Sequence, residues 1–264
     1  MTGVDRLEGV EAKVERAKHH VQELNAALQG FFATNPYVVG TKINPETREV
    51  IYHVVSVREV PPMIDVIGGE VLQSLRSALD HLAYQLVLVG TGQSGPFHHV
   101  YFPIFNSAQE YQTGKTRQIQ GMRQDAIDAI DAVKPYKGGN DALWQLHRLN
   151  IVDKHRLLVT VGSSFESVDI GPTMMRGLRG IMPDDQEIPD LALFLRPEDN
   201  LFPLKADDEL FIDQPDAEPN KNQQFTFSVV LSEPGVIEGE SLVETLHQMV
   251  DLVDHLIPIF RPLL

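Results

Sequence analysis

The chain predicts an α+β fold, a bundle of four to five helices with an N-terminal β-hairpin and an inserted antiparallel sheet. Three observations predict it. Apolar residues recur at spacings of three and four along several stretches before residue 156 and again after residue 240. Between about 157 and 235 the runs alternate or are continuously apolar, separated by Pro-, Asp- and Asn-rich turns. Near the start, two β-branched runs flank the turn Asn44-Pro45-Glu46-Thr47-Arg48. With 264 residues, 42% of them hydrophobic, the chain can bury a real core. It reads as one domain over 1–264, with the helical core at about 1–156 and 240–264 and the strand-rich insertion at about 157–235.

The elements follow in order. Val10, Val14, Ala17, Val21, Leu24 and Leu28 predict an amphipathic helix within residues 4–33. Tyr37–Ile43 and Glu49–Val57 form the hairpin, which Pro61-Pro62 ends. A long central helix runs from about Met63 to Val89, with Gly68-Gly69 near its start and a Gly-rich break from Gly90 to Pro96. Val100–Phe105 reads as a buried extended piece, and Ala108–Val133 as polar and mostly helical. Asn140 is a candidate N-cap for a helix reaching His155. Strands are expected at Leu157–Val161, Leu191–Leu195, Glu209–Ile212 and Gln224–Leu231. Leu242, Leu246, Met249, Val250, Val253 and Leu256 then predict a final helix that packs back on the bundle. Met182–Pro189 and Gln214–Asn222, acidic, polar and Pro-containing, read as disordered.

Composition excludes several classes of function. The formal charge of −15, from 37 acidic against 22 basic residues, repels nucleic acid and anionic membranes, so general nucleic-acid coating is not expected. The absence of cysteine removes disulfides, thiolate catalysis and Cys-ligated zinc. No basic and apolar leader opens the chain and no apolar run approaches membrane-spanning length, so a cytoplasmic protein without membrane contact is expected. Glycine-rich phosphate loops and the Gly-x-Ser-x-Gly elbow are missing, and no cofactor is expected. Ser163-Ser164 reads as turn chemistry, while Trp144 and the Phe97, Tyr101, Phe102 and Phe105 group read as core anchors.

Two segments carry the candidate chemistry. On the central helix, Arg76, Asp80, His81 and Tyr84 fall on a polar arc opposite Leu72, Leu75, Ala78, Leu79 and Leu82. In the second segment His147, Asn150, Asp153, Lys154 and His155 lie among Arg148 and Arg156. These nine residues are the candidate catalytic set. Histidine suits proton transfer near neutral pH, and guanidinium suits an oxyanionic phosphate. A structural reading competes: Arg76 and Asp80 form an i,i+4 pair, and Asn150 or Asp153 completes a fixed polar network. A metal reading would gather His81, Asp80, His147 and Asp153 between helices, but His-Glu-x-x-His spacing is absent and no metal site is assigned. The adjacent pairs His19-His20 and His98-His99 diverge and read as solvent-facing.

The spacings Arg76-x4-His81 and Arg148-x6-His155 resemble the Arg-x4–6-His motif of the HEPN superfamily of helical bundles. The resemblance covers the helices and not the strand-rich part. It implies a metal-independent ribonuclease that uses the RNA 2′-hydroxyl, with His81 polarising or deprotonating the nucleophile and Arg76 holding phosphate charge. It further implies a homodimer whose facing copies complete the site, with RNA entering a local cleft. Where HEPN nucleases commonly place a polar residue after the arginine, this chain has Ser77 and Leu149. The wider pattern, including Phe102-Pro103-Ile104 and Lys134-Pro135-Tyr136, is similar to a group of uncharacterised bacterial proteins, a likeness that carries no activity. Against the ribonuclease stands a noncatalytic bundle protein that binds a partner or a small molecule.

Overall fold

The computed structural model describes residues 6–155, 161–179, 193–196 and 201–264, and the fold is α+β. In chain order the elements are α1 (Glu8–Phe32), β1 (Tyr37–Ile43), β2 (Glu49–Val57), α2 (Pro62–Thr91), α3 (Ala108–Gly114), α4 (Gln124–Val133) and α5 (Asp141–His155). They continue with β3 (Val161–Asp169), α6 (Gly171–Arg179), β4 (Phe194–Leu195), β5 (Glu209–Pro215), β6 (Phe225–Glu233), β7 (Ile237–Ser241) and α7 (Leu242–Phe260). These elements divide between two compact units. One comprises Met1–Leu28, Pro62–Val159 and Glu233–Leu264; the other comprises Gln29–Pro61 and Thr160–Ser232.

The first unit is helical. The apolar stripe of α2, with Leu72, Leu75, Leu79 and Leu82 wholly buried, packs against α5 and α7. Each such leucine contributes about 1.5–3 kcal/mol relative to an exposed one. The start of α7 follows from Ser241 and Glu244: the serine Oγ accepts the Glu244 backbone N–H, the sequence pattern of a capping box. Asn140 does the same for α5, its side-chain oxygen accepting from the Leu143 N–H at 3.1 Å. Residues 101–104 run without regular structure, yet Phe102 is fully buried and meets Phe260 edge-on at 6.2 Å. That buried piece, expected from its apolar run, places its backbone along α2, where the candidate site lies. The helix α2 runs one residue past the break expected at Gly90, and the glycine there serves packing: it sits against the carbonyl of Gly121, where no side chain fits.

The second unit holds the sheets. β2 pairs antiparallel with β1 on one side and β5 on the other, while β3 pairs antiparallel with β4 and β6. Val54, Phe165, Val168, Leu204 and Leu210 form its core, flanked by Tyr37, Phe225 and Phe227. The hairpin, which the sequence reading joins to the helical core, thus belongs with the inserted strands. Its inner strand β2 carries buried Val50, Ile51, Tyr52 and Val54 and needs a partner on both edges. Helix α6 is an addition to the expected elements. So is β7, which belongs to the first unit. Gln214–Asn222, expected to be disordered, is held in place: the Asn220 N–H donates to the Tyr52 hydroxyl at 2.8 Å. Met182–Pro189, residues 157–160, 191 and 192 of the expected strands, and Arg156 lie outside the described residues. No helix among the described residues is long and apolar enough to cross a membrane.

Candidate functional site

Arg76 is the centre of the helical unit's polar chemistry. It is 6% exposed although it belongs to the polar arc of α2. Its Nη2 donates to Asp80 Oδ1 at 2.6 Å and to the Phe102 carbonyl at 2.8 Å, and its Nε donates to Asp80 Oδ2 at 3.3 Å. Asp80 Oδ1 also accepts the Phe102 N–H at 3.0 Å, so one carboxylate fixes both the guanidinium and the irregular backbone beside it. The i,i+4 pairing expected from the sequence is present, and it consumes two of the three guanidinium nitrogens.

The third nitrogen, Nη1, is buried without a partner among the described residues, and Arg76 lines a cavity of about 250 Å³. Its lining includes Arg76, Asp80, Gln118, His147, Asn150 and Lys154. The α5 residues among these recur at i, i+3 and i+7, one stripe of the helix directed at α2. Four residues of this lining hold a buried polar atom with no hydrogen-bond partner among the described residues: Arg76 Nη1, Gln118 Oε1, His147 Nδ1 and Asn150 Oδ1. Burial and the cationic Arg76, Arg148 and Lys154 push the His147 imidazole down to about 3, so the ring is neutral at physiological pH. Lys154 is exposed at the rim. The cavity therefore joins two cations and one carboxylate with amide and imidazole groups able to donate or accept.

Of the nine candidate residues, Arg76, Asp80, His147, Asn150 and Lys154 line this one cavity. The other four do not. His81 is exposed and lines a separate recess with Arg6, Glu8, Val10 and Gln85. The reason is helical geometry: five positions beyond Arg76 is about 140° around the helix. Tyr84 packs its ring on Phe97, with centroids 5.6 Å apart. Asp153 turns to α2, its carboxylate resting against Gly69. His155 is exposed at the end of α5. The four residues of the metal reading are consequently not gathered: Asp80 and His147 share the cavity, while His81 and Asp153 lie off it. His98 and His99 are exposed as expected, and so is His19. His20 corrects the expectation of a solvent-facing pair: it is 5% exposed, its Nδ1 2.8 Å from Glu23 and 3.3 Å from Glu70.

Gln118 escaped the sequence reading, since nothing distinguishes it within its polar segment. A larger cavity of about 900 Å³ in the second unit also escaped it; Tyr37, Tyr52, Phe225, Phe227 and Asn220 are among its walls. Its tyrosine hydroxyls are already engaged, Tyr37 donating to Ser163 Oγ at 2.7 Å and Tyr52 accepting from Asn220. No protein-family model, curated protein or solved structure matches the chain.

Proposed function

We propose that the helical unit binds a small anionic molecule, a carboxylate or phosphate that also carries a hydroxyl or amine, in the cavity between α2, residues 101–104 and α5. The carrying observation is that four residues lining one space, Arg76, Gln118, His147 and Asn150, each hold a buried polar atom without a partner among the described residues. Buried polar atoms without partners cost about 1–3 kcal/mol each, so a ligand that satisfies them binds with that energy recovered. Arg76 and Lys154 supply charge, and neutral His147 supplies a donor or acceptor without adding to it. At about 250 Å³ the cavity lies below the usual range for large organic ligands, which selects an inorganic anion, a short acid or the terminal group of a longer molecule. Because Asp80 already holds Arg76, the guanidinium is a fixed donor rather than a mobile one.

The ribonuclease reading asks Arg76 and His81 to act on one phosphate, and within one chain they face different recesses. Binding is accordingly favoured over cleavage. Calorimetric titration with inorganic phosphate, acetate and lactate tests it. Saturable binding of at least one anion, weakened several-fold by Lys154→Met and by His147→Leu, is expected. Absence of binding by all three at millimolar concentration overturns the proposal.

A further inference from the structure

We propose that His20, Glu23 and Glu70 form a site for a divalent transition-metal ion in the helical unit, built from α1 and α2. His20 and Glu23 stand at i,i+3 on α1, so their side chains leave one face, and Glu70 comes from α2. His20 Nδ1 lies 2.8 Å from a Glu23 oxygen and 3.3 Å from a Glu70 oxygen. One ligand atom from each residue falls within 4.8 Å of the other two. An ion held at about 2.0–2.2 Å by imidazole and carboxylate places its ligand atoms about 3 Å apart, so small rotations of the glutamates complete the geometry.

The surroundings fit a cation. His20 is held by burial, whereas the Glu23 and Glu70 side chains are 40% and 51% exposed and give an ion a path from solvent. His19 Nε2 lies 3.1 Å from the other Glu23 oxygen and orients that carboxylate from outside. A third carboxylate stands close by. Asp153 rests on Gly69, the residue before Glu70, where any Cβ would collide with its carboxylate. Glycine inside a helix costs about 1 kcal/mol relative to alanine, and at position 69 its use is to admit this carboxylate. One imidazole with carboxylates suits Mn²⁺, Fe²⁺ or Zn²⁺, while Ca²⁺ prefers oxygen ligands alone. None of the three residues lines the Arg76 cavity.

Chelator-treated full-length protein titrated with Mn²⁺, followed by loss of the free-ion paramagnetic resonance signal, tests the site; calorimetry with Zn²⁺ and Ca²⁺ runs in parallel. One saturable site for Mn²⁺ or Zn²⁺ is expected, with Ca²⁺ weaker. The exposed-side-chain variants Glu23→Gln and Glu70→Gln, confirmed as folded by circular dichroism, are each expected to lose roughly tenfold or more in affinity. The site is refuted by no saturable binding of Mn²⁺ or Zn²⁺ below about 1 mM, an affinity of only about −4 kcal/mol. Unchanged affinity in both glutamine variants refutes it equally.

Discussion

Arg76, buried, and Asp80, partly exposed, form a hydrogen-bonded ion pair that also clamps both backbone polar groups of Phe102. Asp80 thereby serves the guanidinium and the 101–104 segment together, and the pair cannot be dissected one residue at a time.

Asp80→Ala leaves the Arg76 cation buried and the Phe102 N–H unpaired, for a loss of about 3–5 kcal/mol. Arg76→Met leaves a partly exposed carboxylate and costs less, about 2–4 kcal/mol. The double variant Arg76→Met/Asp80→Leu is expected to recover part of the sum. Urea denaturation of all four proteins measures the coupling, and additive losses would show that the two side chains act independently.

The pH dependence has two named contributors. His147 is held at about 3 when folded and returns to about 6.5 when unfolded. The folded state therefore refuses a proton that the unfolded state accepts, and stability present above pH 6.5 is lost as pH falls toward 3. Between pH 7.5 and 5 the wild type is expected to lose about 1–2 kcal/mol more than His147→Gln. Parallel curves for the two proteins would contradict a neutral, half-buried ring.

Asp65 works in the opposite sense. Burial pushes its carboxyl up to about 6, and its Oδ1 has no partner among the described residues. The protonated form is favoured in the fold, so its contribution is complete below pH 3.8 and vanishes as pH rises through 6. Asp65→Asn is expected to stabilise by about 1–2 kcal/mol at pH 7.5, with the gain gone near pH 4. Thermal melts across that range read the difference.

Gly90→Ala sets helix propensity against space. The substitution gains about 1 kcal/mol of propensity but drives a methyl into the Gly121 backbone, which cannot rotate aside. A net loss of about 1–3 kcal/mol is expected from the overpacking. A melt at or above wild type would mean that the two backbones separate freely.

Periodicity made most elements legible, because a buried stripe repeats whatever it packs against. The limits of β1 and β2 coincide with their β-branched runs, and α2 was visible from its leucines. Helix α6 was not, since it is only nine residues long and its two glycines and Pro172 read locally as turn residues. Half of the candidate site was legible for the same reason that half was lost. Arg76 with Asp80, and His147 with Asn150 and Lys154, sit at spacings that hold one face. His81 and Tyr84 widened the polar arc beyond what a single cavity can collect. His20 did leave a signal: it lies three positions after Ala17 and four before Leu24, within the buried stripe of α1. Which unit receives the hairpin depends on strand pairing across a long stretch of chain, and local pattern does not encode that.

The pairing of β2 with β5 also constrains biosynthesis. Tyr52 and Asn220 stand 168 positions apart, so the early hairpin waits on the ribosome with an open, apolar-faced edge until most of the chain has emerged. Excising residues 157–235 would strand that edge permanently, and such a truncation invites strand-to-strand association between molecules in place of a trimmed bundle.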